Sequence, residues 1–337
     1  MTQLTLLRER KIEKGAFRNV LKAIGSTPLV KLRNLSSDLN SNIYAKLECF
    51  NPCLSAKDRI ARYIIEQAER SGDLQPGGTV IDATSGNTGT ALAMIAALKG
   101  YRCVLTVADK ASAEKVNTLK AMGAEVVLCP SKVKPEDPRS YYAQAIRLSK
   151  EIPGAYYTNQ NFNINNNMAH YHGTGPEIWE QTEQKITHIV AAVGTGGTLC
   201  GTAKFLKAQN PDIQVIGVDA HGSVLTKYHE TGEFDDSEIH PYKMEGVGKS
   251  IIPGNVKFDL IDEFVKVNDK DSAHLARATA RKEGLFLGYS SGAAMQALRQ
   301  KGGWTEEDVV VIIASDHGSK YLSSIYNDEW MKEQGFM

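Results

Sequence analysis

The chain has 337 residues, 42% hydrophobic and 23% charged, with lysine plus arginine balancing aspartate plus glutamate for a formal net charge of zero. That is long enough for a large α/β unit or two domains, and it offers no basic footprint for nucleic acid. The longest apolar stretches, such as Ala91 to Leu98, fall far short of a bilayer span, and Met1 to Lys14 mixes charge with leucine as no signal peptide does.

The predicted elements alternate strand and helix. Thr79–Ala83 reads as a strand, Gly89–Lys99 as a buried helix stopped by Gly100, and Tyr101–Val107 as the next strand. Ser112 to Met122 is predicted as a helix capped by Ser112 and ended by Gly123. A strand at Glu125–Leu128 and a helix at Asp137–Lys150 follow. The rhythm returns with strand Ile186–Val193, helix Thr198–Ala208 and strand Gln214–Asp219. Near the end come helix Asp271–Lys282, a strand at Gly284–Gly288, a helix from Ser291 and strand Val309–Ala314. Repeated βα units predict parallel sheets covered by helices on both faces. The least regular stretches, 151–175 and 222–256, are where a cleft is expected, the first dividing the chain into two halves.

Three short segments carry chemistry. Lys57, in Ser55-Ala56-Lys57-Asp58-Arg59, opens a predicted helix, where the helix dipole disfavours a cation. An amine there makes sense if it is neutral as an imine or faces a phosphate. Thr84-Ser85-Gly86-Asn87-Thr88-Gly89 follows a strand and opens a helix, the geometry that receives a carboxylate or phosphate on free N–H groups. Gly194-Thr195-Gly196-Gly197-Thr198 repeats that logic after a second strand. Leu199 stands where a dinucleotide fingerprint needs glycine, and no Walker lysine follows. Gly288-Tyr289-Ser290-Ser291-Gly292 fits the G-x-S-x-G nucleophile elbow of a hydrolase. The only later histidine, His317, adjoins Asp316, and neighbours in sequence point apart rather than relay. Ser290 is therefore read as a hydroxyl partner for a ring nitrogen. His170-Tyr171-His172 and Cys49-x-x-x-Cys53 lack a second ligand pair, so no metal is expected, and the five scattered cysteines read as reduced cytoplasmic thiols.

Taken in order and spacing, the SAKDR, TSGNTG, GTGGT and SSGAA motifs resemble those of the cystathionine β-synthase and cysteine synthase family, fold type II pyridoxal-phosphate enzymes. The resemblance runs from Gly25-Ser26-Thr27-Pro28-Leu29 to the C-terminus. It implies a tryptophan synthase β-like fold with two α/β domains of mostly parallel twisted sheet and the active site in the cleft between them. Residues 1–160 would form the first domain, with the segment before about residue 45 free to pack on the second, and residues 161–337 the second. No regulatory domain is expected. The resemblance further implies pyridoxal 5'-phosphate on Lys57, its phenolic oxygen at Asn87, its phosphate on Gly194, Thr195, Gly196, Gly197 and Thr198, and its ring nitrogen at Ser290. Thr84, Ser85, Gly86, Asn87 and Thr88 with Gln160 would take the substrate carboxylate, and Gly246 of the Glu245-Gly246-Val247-Gly248 loop would lie beside the substrate amine.

Tyr101-Arg102-Cys103, Lys110, Ser112-x-Glu114-Lys115-Val116, Ala169-His170-Tyr171 and Glu245 lean toward cystathionine β-synthase. The implied activity is β-replacement, joining serine to homocysteine. The alternative makes cysteine from O-acetylserine and sulfide. Small-molecule amino-acid and thiol substrates, a homodimer, and no nucleic-acid or membrane partner complete the expectation. Two departures bear on substrate choice: Cys53-Leu54 stands where the family has small residues such as Gly-Gly or Thr-Gly before the serine, and Tyr289 where a smaller residue is common.

Overall fold

A computed structural model describes residues 15–337 apart from Ser85 and Pro135. The described chain opens with β1 (Leu29–Lys31) and β2 (Asn42–Leu47), then α1 (Lys57–Ser71). A run of βα units follows: β3 (Thr79–Ala83), α2 (Asn87–Lys99), β4 (Arg102–Ala108), α3 (Ala113–Ala121), β5 (Glu125–Cys129), α4 (Tyr141–Glu151) and β6 (Ala155–Tyr157). After α5 (Asn165–Tyr171) and α6 (Thr174–Gln181) come β7 (His188–Ala192), α7 (Gly197–Gln209), β8 (Gln214–Ala220) and α8 (Leu225–Thr231). The chain closes with β9 (Glu263–Val267), α9 (Asp269–Glu283), α10 (Tyr289–Lys301), β10 (Val309–Ala314) and α11 (Asp328–Glu333).

Strands β3 to β6 make a four-stranded parallel sheet in the order β5-β4-β3-β6. The other six make a second sheet, β1-β2-β10-β7-β8-β9, parallel except for β1 on the edge. Both are built as parallel sheets must be, with helical crossovers and near-continuous apolar strands. All of β3 is buried, as are all but the first residues of β4, β8 and β10.

Each sheet is packed on two faces. One side of the larger sheet packs Val190, Ile216 and Ile312 against Ala294, Leu298 and Ala273 of α9 and α10. The other packs Ile189, Val215 and Val311 against Leu199, Ala203 and Ile178 of α6 and α7. In the smaller sheet Val80 and Leu105 meet Ala91, Leu92 and Ile95 of α2, a helix apolar enough to be buried over most of its surface. Several ends match their sequence signals. Ser112 accepts from the Lys115 N–H and caps α3, Ser140 accepts from the Ala143 N–H and caps α4, and Gly100 ends α2 in the left-handed conformation.

One expected strand is absent. Gly284–Gly288 contributes only an isolated bridge from Leu287 to His317, because α10 begins at Tyr289 and leaves no length for a ladder. The stretch 151–175 carries β6, α5 and the start of α6 rather than a long loop. β2 lies beside β10, so a segment early in the chain joins the larger sheet rather than the smaller one.

Candidate active site

Lys57 is presented by a strained turn. Cys53 donates its N–H to Asp58 Oδ2 at 2.6 Å, and Leu54 takes a left-handed φ of 60°. Ala56 N–H then donates to the Ser315 carbonyl at 2.9 Å, and Ser55 forms an isolated bridge with Asp316. These contacts pin the start of α1 to the end of β10. They also give a physical reason for small residues before this serine: the position needs positive φ, which glycine adopts without strain and leucine does not. Lys57 itself is half-buried. Loss of water pushes its amine below the ordinary lysine range. The Asp316 and Glu48 charges oppose that push, and those of Lys249 and Lys320 add to it. A base needs such an amine, one that sheds its proton readily.

The two glycine-bearing turns leave the ends of β3 and β7. Gly86 precedes α2 without a side-chain cap, and the Thr88 hydroxyl donates to Gln160 Oε1 at 2.7 Å. Thr84, its N–H bonded to the Thr106 carbonyl, stands at the end of β3. Thr84, Gly86, Asn87, Thr88 and Gln160 are thus gathered beyond the C-terminal ends of β3 and β6, while Ser85 lies outside the described residues. At the second turn Gly196, φ 86°, precedes α7, again with no side-chain cap. At the start of that 13-residue helix the Gly197 N–H makes only a long 3.5 Å contact to Thr195 Oγ1, and the N–H groups of the first turn are placed to receive an anion.

The turn is also tightly backed. A Cβ on Gly197 would fall 1.8 Å from Asn166 Oδ1, and one on Gly194 2.9 Å from the Gly246 carbonyl. The Glu245–Gly248 loop is held against the turn by Gly248 N–H donating to Val193 O at 2.8 Å.

His170 supports this turn, although its sequence context reads as ordinary packing. It is fully buried, with Nδ1 2.8 Å from Thr174 Oγ1 and Nε2 3.1 Å from Thr198 Oγ1. Burial depresses its pKa to about 3, so the ring is neutral. In the tautomer with its hydrogen on Nε2, the ring accepts from Thr174 and donates to Thr198, which leaves the Thr198 hydroxyl hydrogen for an anion.

Ser290, in the first turn of α10, is 4% exposed, and its hydroxyl has no hydrogen-bond partner among the described residues. The hydrolase alternative finds no geometry. His317 Nδ1 is bonded to Ser319 Oγ, and the Asp316 carboxylate takes Asn87 and Tyr321. Tyr289, the second departure, is 1% exposed; its hydroxyl donates to Asp269 O and its ring packs edge-on to Tyr321. Asp316 and Lys320 were not singled out in the sequence as site residues, yet both bond Asn87. The signal present was only a polar run after an apolar strand.

A family model described as pyridoxal-phosphate dependent enzyme matches residues 20–316. The chain belongs to that family. Among curated relatives, cystathionine beta-synthase of Apis mellifera is 42% identical over 322 residues, covering 95% of this chain and 63% of that protein. The Saccharomyces cerevisiae cystathionine beta-synthase is 42% identical over 327 residues, covering 94% of this chain and 64% of that protein. The chain thus spans a little under two thirds of the length of these cystathionine beta-synthases. A cysteine synthase of Staphylococcus aureus is 39% identical over 311 residues, covering 91% of this chain and 96% of that protein. Among solved structures, a hydrogen sulfide-producing enzyme from Fusobacterium nucleatum superposes with a TM-score of 0.80 at 33% identity, covering 91% of this chain and 98% of that one.

The family's cofactor is pyridoxal phosphate, and the residues present fit it. The uncapped start of α7 suits a phosphate dianion, the water-poor Lys57 amine suits an aldehyde, and the unpartnered Ser290 hydroxyl suits a neutral ring nitrogen.

Proposed function

We propose that the protein catalyses β-replacement on L-serine, displacing the hydroxyl with the thiol of homocysteine to form cystathionine. What supports the reading is a Lys57 amine held below the ordinary lysine range by burial, together with a buried Ser290 hydroxyl that is uncharged and free to face a ring nitrogen. The similarity to cystathionine beta-synthases from several species supports it.

Pyridoxal phosphate supplies the electron sink for breaking the Cα–H bond. The roles of the chain's own groups follow. The α7 start with Thr195 and Thr198 holds the phosphate, and Asn87 meets the phenolic oxygen. Thr84, Ser85, Gly86, Thr88 and Gln160 hold the substrate carboxylate, and Gly246 lies beside its amine. Lys57, once free, takes the α-proton and as an ammonium hands a proton to the departing hydroxyl, the help that a poor leaving group needs. Ser290 accepts or donates one hydrogen bond but brings no charge. It does not hold a proton on the ring, which favours prompt loss of the β-substituent over reprotonation at Cα.

The second reading, cysteine formation from O-acetylserine and sulfide, is favoured by the Staphylococcus aureus relative, which this chain matches over nearly its whole length. Acetate leaves without assistance, so some O-acetylserine turnover is expected in either case. Specificity constants for serine plus homocysteine against O-acetylserine plus sulfide decide between them. Cystathionine formation at the larger constant is the expected result. Rapid O-acetylserine turnover with no reaction of serine would replace the first reading with the second.

The same reading divides the chain near residue 160 into two α/β domains with the site between them. It also makes the protein a cytoplasmic homodimer. Its five buried free thiols and the exposed Phe50 and Leu322 support those assignments, and sedimentation equilibrium tests the dimer.

A further inference from the structure

Two charged side chains hold Asn87 from behind. Asp316, 2% exposed, accepts at Oδ2 from Asn87 Nδ2 and from the Tyr321 hydroxyl, both at 2.8 Å. Its Oδ1 is buried with no partner among the described residues. A Cβ on Gly288 would fall 1.8 Å from that Oδ1, so the carboxylate fits only against glycine. On the other side, Lys320 donates from Nζ to Asn87 Oδ1 and, at 2.9 Å, to the Cys53 carbonyl. A carboxylate only accepts and an ammonium only donates, so the two clamp the Asn87 amide in one orientation with one N–H hydrogen left over. Both are tied to the Lys57 turn: Asp316 through its bridge to Ser55, and Lys320 through Cys53.

We propose that Asp316 and Lys320 are a pair of positioning residues, which aim the Asn87 amide at the cofactor and act on the Lys57 amine with opposite charge. The inference rests on the reading that Lys57 and Asn87 hold the cofactor.

The charges around the three groups are consistent with this. On Lys57, burial and then Lys249 and Lys320 favour the neutral amine, while Asp316 and Glu48 favour the ammonium. On Asp316, burial raises the pKa, the Asn87 bond, Lys320 and Tyr321 lower it, and Glu245 raises it. On Lys320, burial lowers the pKa, Asp316, Asp58 and Cys53 raise it, and Lys115 lowers it. The two residues thus bear on Lys57 with opposite sign, and both are anchored to the turn that presents it.

The experiment follows cofactor capture, not turnover. Full-length protein stripped of cofactor is mixed with pyridoxal phosphate across a pH series. The rate at which label becomes fixed to the Lys57 peptide by borohydride is then measured. Only the neutral amine attacks, so the midpoint of the profile reports Lys57. Asp316→Asn should move the midpoint to lower pH and Lys320→Gln to higher pH, each by about one unit, or about ten-fold in rate at a fixed pH below the midpoint. Lys320→Arg, which preserves the charge, should leave it in place. If Asp316→Asn does not fold, the contrast between Lys320→Gln and Lys320→Arg gives the same answer. Slower capture with unmoved midpoints, or shifts of the same sign, would overturn the inference. Capture on a residue other than Lys57 in the unsubstituted protein would overturn the site reading itself.

Discussion

Replacing Glu177 by glutamine should loosen the seat of the Lys57 helix. The Glu177 carboxylate, on α6, receives Arg59 Nη1 and Nη2 at 2.7 Å, Lys46 Nζ at 2.6 Å, and the N–H groups of Ser26 and Thr27. Arg59 also bonds Glu48, which is fully buried, through Nε at 2.7 Å. Lys46, Glu48, Arg59 and Glu177 form a neutral quartet tying α1 to β2 and α6. Burial alone would raise the Glu177 pKa, but the Arg59 hydrogen bonds and charge, with the Lys46 charge, outweigh it and hold it at about 2.

The fall from an ordinary 4.5 to about 2 corresponds to about 3 kcal/mol of stability. The sign follows from linkage. The folded pKa is depressed, so the contribution is complete above pH 4.5 and is lost as pH falls toward 2. Glu177→Gln should therefore be about 3 kcal/mol less stable at pH 7, since it removes the charge that Arg59 and the fully buried Lys46 are paired with, and burial already pulls the Lys46 amine below its ordinary range. At about 2.1 cal/mol/K per residue, that is a drop of about 4 °C in Tm. Thermal and urea denaturation of both proteins at pH 7 and at descending pH measure it. Equal stability at pH 7, or a gap that persists unchanged to pH 2, would refute the reasoning.

Three further outcomes are expected. Leu54→Gly should stabilise the protein by about 1 kcal/mol in urea denaturation, because leucine at φ 60° is strained and its side chain is 38% exposed. Asp58→Asn should grow more stable relative to the unsubstituted protein as pH rises from 4 to 7. Burial lifts the Asp58 pKa to about 7, so the folded state there holds a proton that the unfolded chain has released, and stability falls with rising pH. Thr198→Val should weaken pyridoxal-phosphate affinity about ten-fold, measured by cofactor titration, and lower Tm by about 2 °C, because the buried His170 Nε2 loses its partner. Gly196→Val is a poorer probe of the same turn. Its Cβ would meet Val256 backbone at 2.6 Å, so fold and affinity would fall together.

Much of the fold was legible because its signals are local. Thr79–Ala83 and Val309–Ala314 are continuous apolar runs bounded by glycine or polar residues, and both are strands over those residues. Ser112 reads as a cap because serine before a helical run has few other uses. The pairing of β2 with β10 carried no local signal, since it joins Asn42 to Val309. The Gly284–Gly288 segment looked like a strand by composition but meets only one partner residue.

The proposed site rests on motifs that carry chemistry, as at Lys57 and Gly194–Thr198. Its supports were less legible in the sequence. His170, Asp316 and Lys320 act through other side chains, and nothing in their spacing says which. In the sequence Leu54 is a departure from the family's small residues; the backbone adds that its position demands positive φ.

The central claim is that Lys57 carries pyridoxal phosphate in a site assembled from the ends of β3, β7 and β10. Borohydride reduction of the purified protein, followed by proteolysis and mass spectrometry, tests it most directly. The account predicts loss of the visible absorbance and a pyridoxyl-phosphate mass increment on the peptide containing Lys57, absent in Lys57→Ala. The increment on any other lysine, or full turnover by Lys57→Ala, would contradict it.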